Sequence, residues 1–154
     1  MFAKSLLASA AVTILLAACG QAPQSASASQ AASFGPSSVS ISGPGADSFL
    51  DALTGAGAYD ASGALGAQNI ALESVHCSAA VVPHPVPHCT LVENGQTMQA
   101  DQSDAAVLFR TLVDNGAVIH NGTVGATNTV ATNVQCSRVV YPGAHATCSF
   151  LAGQ

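Results

Sequence analysis

The chain has 154 residues, Lys+Arg 3 against Asp+Glu 8, a formal net charge of −5 and only 7% charged residues. So few cations exclude nucleic-acid binding, which needs clustered Lys and Arg to displace counterions from phosphates, and electrostatic docking on anionic lipid. Aromatic residues make up 5%, so the large anchors that dominate protein interfaces are scarce.

The N-terminus carries Lys4, an apolar run over Leu6–Leu16, and then Leu16-Ala17-Ala18-Cys19. The run is shorter than the roughly 20 residues a helix needs to cross a bilayer, so it reads as a signal peptide rather than a span. A pair of small residues followed by cysteine resembles the lipobox of bacterial lipoproteins. The resemblance implies a signal peptide over 1–18, cleavage before Cys19, and Cys19 as the acylated, palmitate-bearing lipid anchor in the cell envelope. Gly20 follows the cysteine where an aspartate would imply retention in the inner membrane, so the outer membrane is the expected location. Two or more acyl chains, at about 0.8 kcal/mol per buried methylene, make such an attachment lasting. With Lys4 removed, Arg110 and Arg138 are the remaining fixed cations. The resemblance covers the leader and implies nothing for the rest.

Residues 19–38 continue as QAPQSASASQAASFGPSS after Cys19-Gly20, with Phe34 the one bulky apolar residue and no charge. Such a segment cannot repay its ordering entropy. It is expected to be a flexible tether with a reach of about 25 Å.

Residues 39–154 read as a single α+β domain of two repeats. Sliding the chain by 59 positions aligns Ala46–Val92 with Ala105–Leu151 without a gap, and 14 of 47 pairs are identical. Gly57/Gly116, Gly66/Gly125, Cys77/Cys136, Pro83/Pro142 and Cys89/Cys148 are among them. Glycine, proline and cysteine fix backbone shape, so their shared register points to a tandem duplication over about 46–92 and 105–151.

Within a unit, Ala46–Gly57 places Phe49, Leu50 and Leu53 on one face at helical spacing, and Leu108, Phe109 and Leu112 repeat it. Ser103 or Asp104 is the expected cap of the second helix, and Asn115-Gly116 its left-handed stop. A strand follows within Asn69–Val81 or Asn128–Val140, where Val130, Val134, Cys136 and Val140 share one parity and predict one buried face. Turns at Pro83 and Pro142-Gly143 lead into return strands Cys89–Val92 and Cys148–Leu151. Glu93-Asn94-Gly95-Gln96 reads as a hairpin turn, with Thr97–Ala100 and Val39–Ser42 as further short strands. The expected architecture is two β-α-β-β units, with two helices packed on one face of an antiparallel sheet.

Four cysteines remain beside Cys19, and four allow three connectivities. Cys77 and Cys89 are spaced like Cys136 and Cys148, each pair flanking a proline. A hairpin about that proline sets the two cysteines opposite, close enough to bridge in an oxidising envelope. One hairpin disulfide per unit is therefore predicted, Cys77–Cys89 and Cys136–Cys148. Bridged thiols are not nucleophiles, which removes a Cys–His enzyme.

His84-Pro85-Val86-Pro87-His88 is the one local cluster with ligand chemistry, with His76 across the same hairpin. His84 and His88 are weak metal candidates, since third and fourth ligands are not evident. His120 and His145 stand apart. No G-x-S-x-G or S-x-x-K motif occurs, and the carboxylates mark helix starts, helix ends and turns. Asn121-Gly122-Thr123 is a glycosylation sequence on paper, which a bacterial lipobox makes irrelevant. No catalytic residue and no cofactor are expected. The sequence thus reads as a non-enzymatic binding module of the envelope, holding or inhibiting a protein or cell-wall partner. The alternatives are a structural lipoprotein without a discrete ligand, or a weak histidine-based metal binder. Small secreted double-unit proteins with one disulfide per unit include the β-lactamase inhibitory proteins, which it resembles in architecture alone, with no motif shared.

Overall fold

Alternating apolar and polar side chains over Ala67–Ala80 and Ala126–Val139 produce two 14-residue strands that pair antiparallel along their whole length. The computed structural model describes residues 35–59, 67–119, 125–139 and 141–153. The leader 1–18, Cys19, the tether as far as Phe34, Asp60, His120, the Asn121-Gly122-Thr123 sequence and Val140 lie outside the described residues. The elements run β1 (Ser37–Ser42), α1 (Pro44–Gly55), β2 (Ala67–Ala80), β3 (His88–Glu93), β4 (Gln96–Gln99), α2 (Gln102–Asp114), β5 (Val118–Ile119), β6 (Ala126–Val139) and β7 (Thr147–Ala152). They form a mixed α+β fold with one antiparallel sheet of seven strands, ordered β1-β7-β6-β2-β3-β4, with the short β5 paired to β6. No described helix is long and apolar enough to cross a membrane.

β1 begins at Ser37, two residues inside the stretch read as tether, because Ser37 and Ser38 pair with Ala152 and Leu151. Pro44 opens α1, where its missing N–H costs nothing. Asp101, rather than Ser103 or Asp104, caps α2: its side chain accepts from the Asp104 N–H at 2.9 Å, while Ser103 and Asp104 already lie inside the helix. Gly116, at φ 78°, supplies the expected stop. Asn94 and Gly95, at φ 49° and 73°, make the two-residue turn from β3 to β4.

The helices touch each other and pack on the sheet through Phe49, Leu50, Leu53, Leu108 and Leu112, which share one core cluster with Ile70, Val75, Leu91, Val134 and Phe150. The Phe49 and Phe150 rings lie 5.9 Å apart, linking α1 to β7. Two disulfides, Cys77–Cys89 and Cys136–Cys148, join residues directly opposite in register, with Cα atoms 4.1 Å apart, and both sit in this core.

One expectation fails. Uninterrupted parity puts Val130 in the core beside Val134 and Cys136, yet Val130 is half-exposed and Thr129 and Ala131 are buried instead. The register of β6 against β7 shifts between Thr132 and Gln135, and Asn133 adopts φ 51° there. This bulge adds a residue and exchanges the two faces. β2 breaks its alternation similarly, between buried Leu72 and buried Val75.

Candidate functional site: the outer face of the sheet

With both helices on one side, the other side of the sheet carries short neutral side chains. Ser40, Ser149, Gln135 and Ala71 form one cross-strand row, and Ser42, Thr147, Ser137 and Asn69 the next. Further along, Gln99, Thr90, His76 and Val130 line up in register, as do His88, Ser78 and Asn128. All are exposed or half-exposed. Hydroxyls and amides each offer both a donor and an acceptor, so this surface hydrogen-bonds without imposing a charge.

Two hollows open on this region. The larger, of about 520 Å³, is lined by Asn69, Ala71, Gln135, Ser137, Thr147 and Ser149, with Tyr59, Glu93 and Asn94 at its side. Tyr59 is 71% exposed, and its backbone N–H donates to Glu93 Oε2 at 2.9 Å. This bond fixes the start of the Tyr59 side chain beside the end of β3. Glu73, two residues beyond Ala71, accepts from the Gly95 N–H at 3.1 Å and so braces the β3–β4 turn. The smaller hollow, of about 380 Å³, is lined by His76, Ser78, His88, Thr90, Asn128 and Val130, among others.

Both described arginines pair with aspartates of the helices, whereas Glu93 lines the larger hollow. Arg138 Nη2 lies 2.9 Å from Asp51 and donates to Gln68 Oε1 at 2.7 Å, while Arg110 pairs with Asp114 across one helical turn. Asp47 accepts from the Ala146 N–H and faces His145 Nδ1 at 2.7 Å. His145, read as isolated in the sequence, therefore has a carboxylate partner. Asp104 is half-buried, and burial followed by the charge of Asp101 pushes its carboxyl up from the usual value.

Of the candidate metal pair, His84 sits in the turn before β3 at φ 73°, and His88 lines the smaller hollow together with His76. Among the described residues no group of three His, Cys, Asp or Glu is gathered to hold an ion. The pairing of His76 with His88 was available in the sequence. Each histidine directly precedes a cysteine of one disulfide, so bridging Cys77 to Cys89 sets the two imidazoles on one face. The Tyr59–Glu93 contact left no such signal, since its partners are 34 residues apart with no shared motif.

No family model, characterised protein or solved structure matches this chain. The functional reading therefore rests on the geometry above.

Proposed function

We propose that the chain is a lipid-anchored lipoprotein of the bacterial outer membrane, held through Cys19, whose folded region is a non-enzymatic binding module. We further infer that this region arose by tandem duplication of a β-α-β-β unit. The 59-residue sequence offset carries β2 and β3 onto the ranges of β6 and β7. The same offset matches the linings of the two hollows, with Asn69, Gln135, Ser137, Thr147 and Ser149 corresponding to Asn128, His76, Ser78, His88 and Thr90.

The observation that carries the binding reading is the outer face, which no described helix covers, with its larger hollow, where Glu93 is the one charged residue among the described lining. Its chemistry suits a neutral partner rich in hydroxyls and amides, such as a cell-wall glycan. Amides and hydroxyls answer such groups one for one, and the exposed Tyr59 ring offers an apolar platform with a polar tip beside them. A protein partner is less favoured, because the aromatic and arginine anchors of strong protein interfaces are scarce on this face.

The test is sedimentation of the purified protein with isolated cell-wall sacculi. Gln135→Trp or Ser149→Trp, which fill the larger hollow, are expected to reduce the bound fraction to background. Ala106→Trp, on the exposed side of α2, is expected to leave it unchanged. Equal binding by all three variants, or none by the parent, overturns the reading. The anchor is checked separately by loss of metabolically incorporated palmitate in Cys19→Ala.

A further inference from the structure

We propose that the smaller hollow is a transition-metal site, in which His76 of β2 and His88 of β3 chelate one Cu(II) ion. The two imidazoles stand on the outer face of adjacent antiparallel strands, His76 opposite Thr90 and His88 opposite Ser78, and both line this hollow. Diagonal cross-strand neighbours of this kind have Cα atoms about 7–8 Å apart. Each imidazole extends several ångströms from its Cα, so two ring nitrogens reach a common ion at about 2.0–2.1 Å.

The backbone beneath is already locked. Cys77 and Cys89 form the intervening register pair, and their bridge on the core side holds the two strands at a Cα separation of 4.1 Å. A fixed pair of ligands loses less conformational freedom when it closes on an ion. Among the described residues the two arginines, Arg138 and Arg110, are engaged with carboxylates on the helix side. Imidazole favours copper, nickel and zinc among the divalent ions, and copper binds tightest of these. Two protein ligands leave the remaining coordination positions open to solvent.

The matching places in the second hairpin are Gln135 and Thr147. The larger hollow therefore repeats the geometry without the imidazoles and serves as an internal control. This inference is independent of the cell-wall reading, because it is tested with the metal alone.

The full chain in detergent is titrated with Cu(II) and followed by electron paramagnetic resonance and calorimetry. One equivalent bound with a two-nitrogen signature is expected. His76→Gln and His88→Thr, which install the residues of the second hairpin, should each weaken binding by at least about the tenfold that loss of even an outer-shell partner costs. His84→Ala should leave it unchanged. The gain-of-site variant Gln135→His/Thr147→His should bind a second equivalent. Loss of binding in His84→Ala, or retention in both single variants, overturns the proposal. So does a grafted variant that still takes only one ion.

Discussion

The backbone N–H of Ala146 donates to Asp47 Oδ1 at 2.6 Å, tying the segment before β7 to the first turn of α1 across 99 residues of chain. The other Asp47 oxygen lies 2.7 Å from His145 Nδ1. The Ala146 hydrogen bond first, and His145 second, hold the Asp47 carboxyl below its ordinary 3.8. A folded-state value below the unfolded one contributes stability that is complete above the unfolded pKa and is lost as pH falls through the folded one. Asp47→Asn is therefore expected to lower Tm at pH 7 and to flatten the loss of Tm below pH 3.8. Thermal melts from neutral to strongly acid pH test this, and superimposable acid limbs would refute it.

The cap and the first turn of α2 carry one carboxylate each, Asp101 and Asp104, and the two respond to acid with opposite signs. The Asp104 N–H, then the Ser103 side chain, hold the Asp101 carboxyl down, whereas burial and the charge of Asp101 hold Asp104 up. Asp101 contributes above its unfolded pKa, while ionised Asp104 opposes folding as pH rises through its raised value. Asp101→Ala should lower Tm at pH 7 and Ser103→Ala should hardly change it. Asp104→Asn should hold or raise it. A larger loss from Ser103→Ala than from Asp101→Ala would move the cap to Ser103.

Gly55 ends α1 against the Asp104 carboxylate, so closely that an added Cβ would run into that group. Glycine to alanine inside a helix ordinarily stabilises by about 0.5–1 kcal/mol. Here Gly55→Ala is expected to forfeit that gain, and Asp104→Ala in the same chain to restore part of it. A urea double-mutant cycle reads the coupling directly, and additive effects would count against the contact.

Thr129 is 1% exposed, and its hydroxyl finds no hydrogen-bond partner among the described residues. Stranding a buried hydroxyl costs about 1–3 kcal/mol. Thr129→Val keeps the branched shape without the hydroxyl and should stabilise by about 1 kcal/mol, since part of the cost is recovered in repacking. A urea midpoint that falls instead would mean the hydroxyl is satisfied.

Each disulfide spans a sequence separation of 12. The chain-entropy model then assigns about 3 kcal/mol to either. Paired Cys→Ala variants of the first or second bridge are expected to lose similar amounts in urea denaturation, because both loops have one length and both bridges are buried. A loss confined to one pair would show that packing, not loop closure, sets the value.

Much of this fold was legible because its signals are local. The cysteine spacing, the Asn94-Gly95 turn and the Phe49/Leu53 stripe each involve residues within a hairpin or helical face, and each predicted its element. The β6 bulge was not legible: Asn133 looks like any polar strand residue, yet its positive φ reverses which neighbours are buried and puts Thr129 where Val130 was expected. The α2 cap was misplaced by two or three residues because Asp101, Ser103 and Asp104 all have capping side chains, and only geometry selects one. The larger hollow draws Tyr59, Asn69, Gln135 and Ser149 from four separate segments. Pattern within any one segment carries no trace of that meeting, whereas the two histidines beside their bridge did leave one.

β1 and β7 are partners, Ser37 facing Ala152, so the first and last described strands are neighbours at one side of the sheet. A short linker could close the polypeptide into a ring there, and a cut between Asn94 and Gly95 would open it again on the far side. Such a permutant exchanges the order of the two halves while keeping every strand pairing except the hairpin link at the cut.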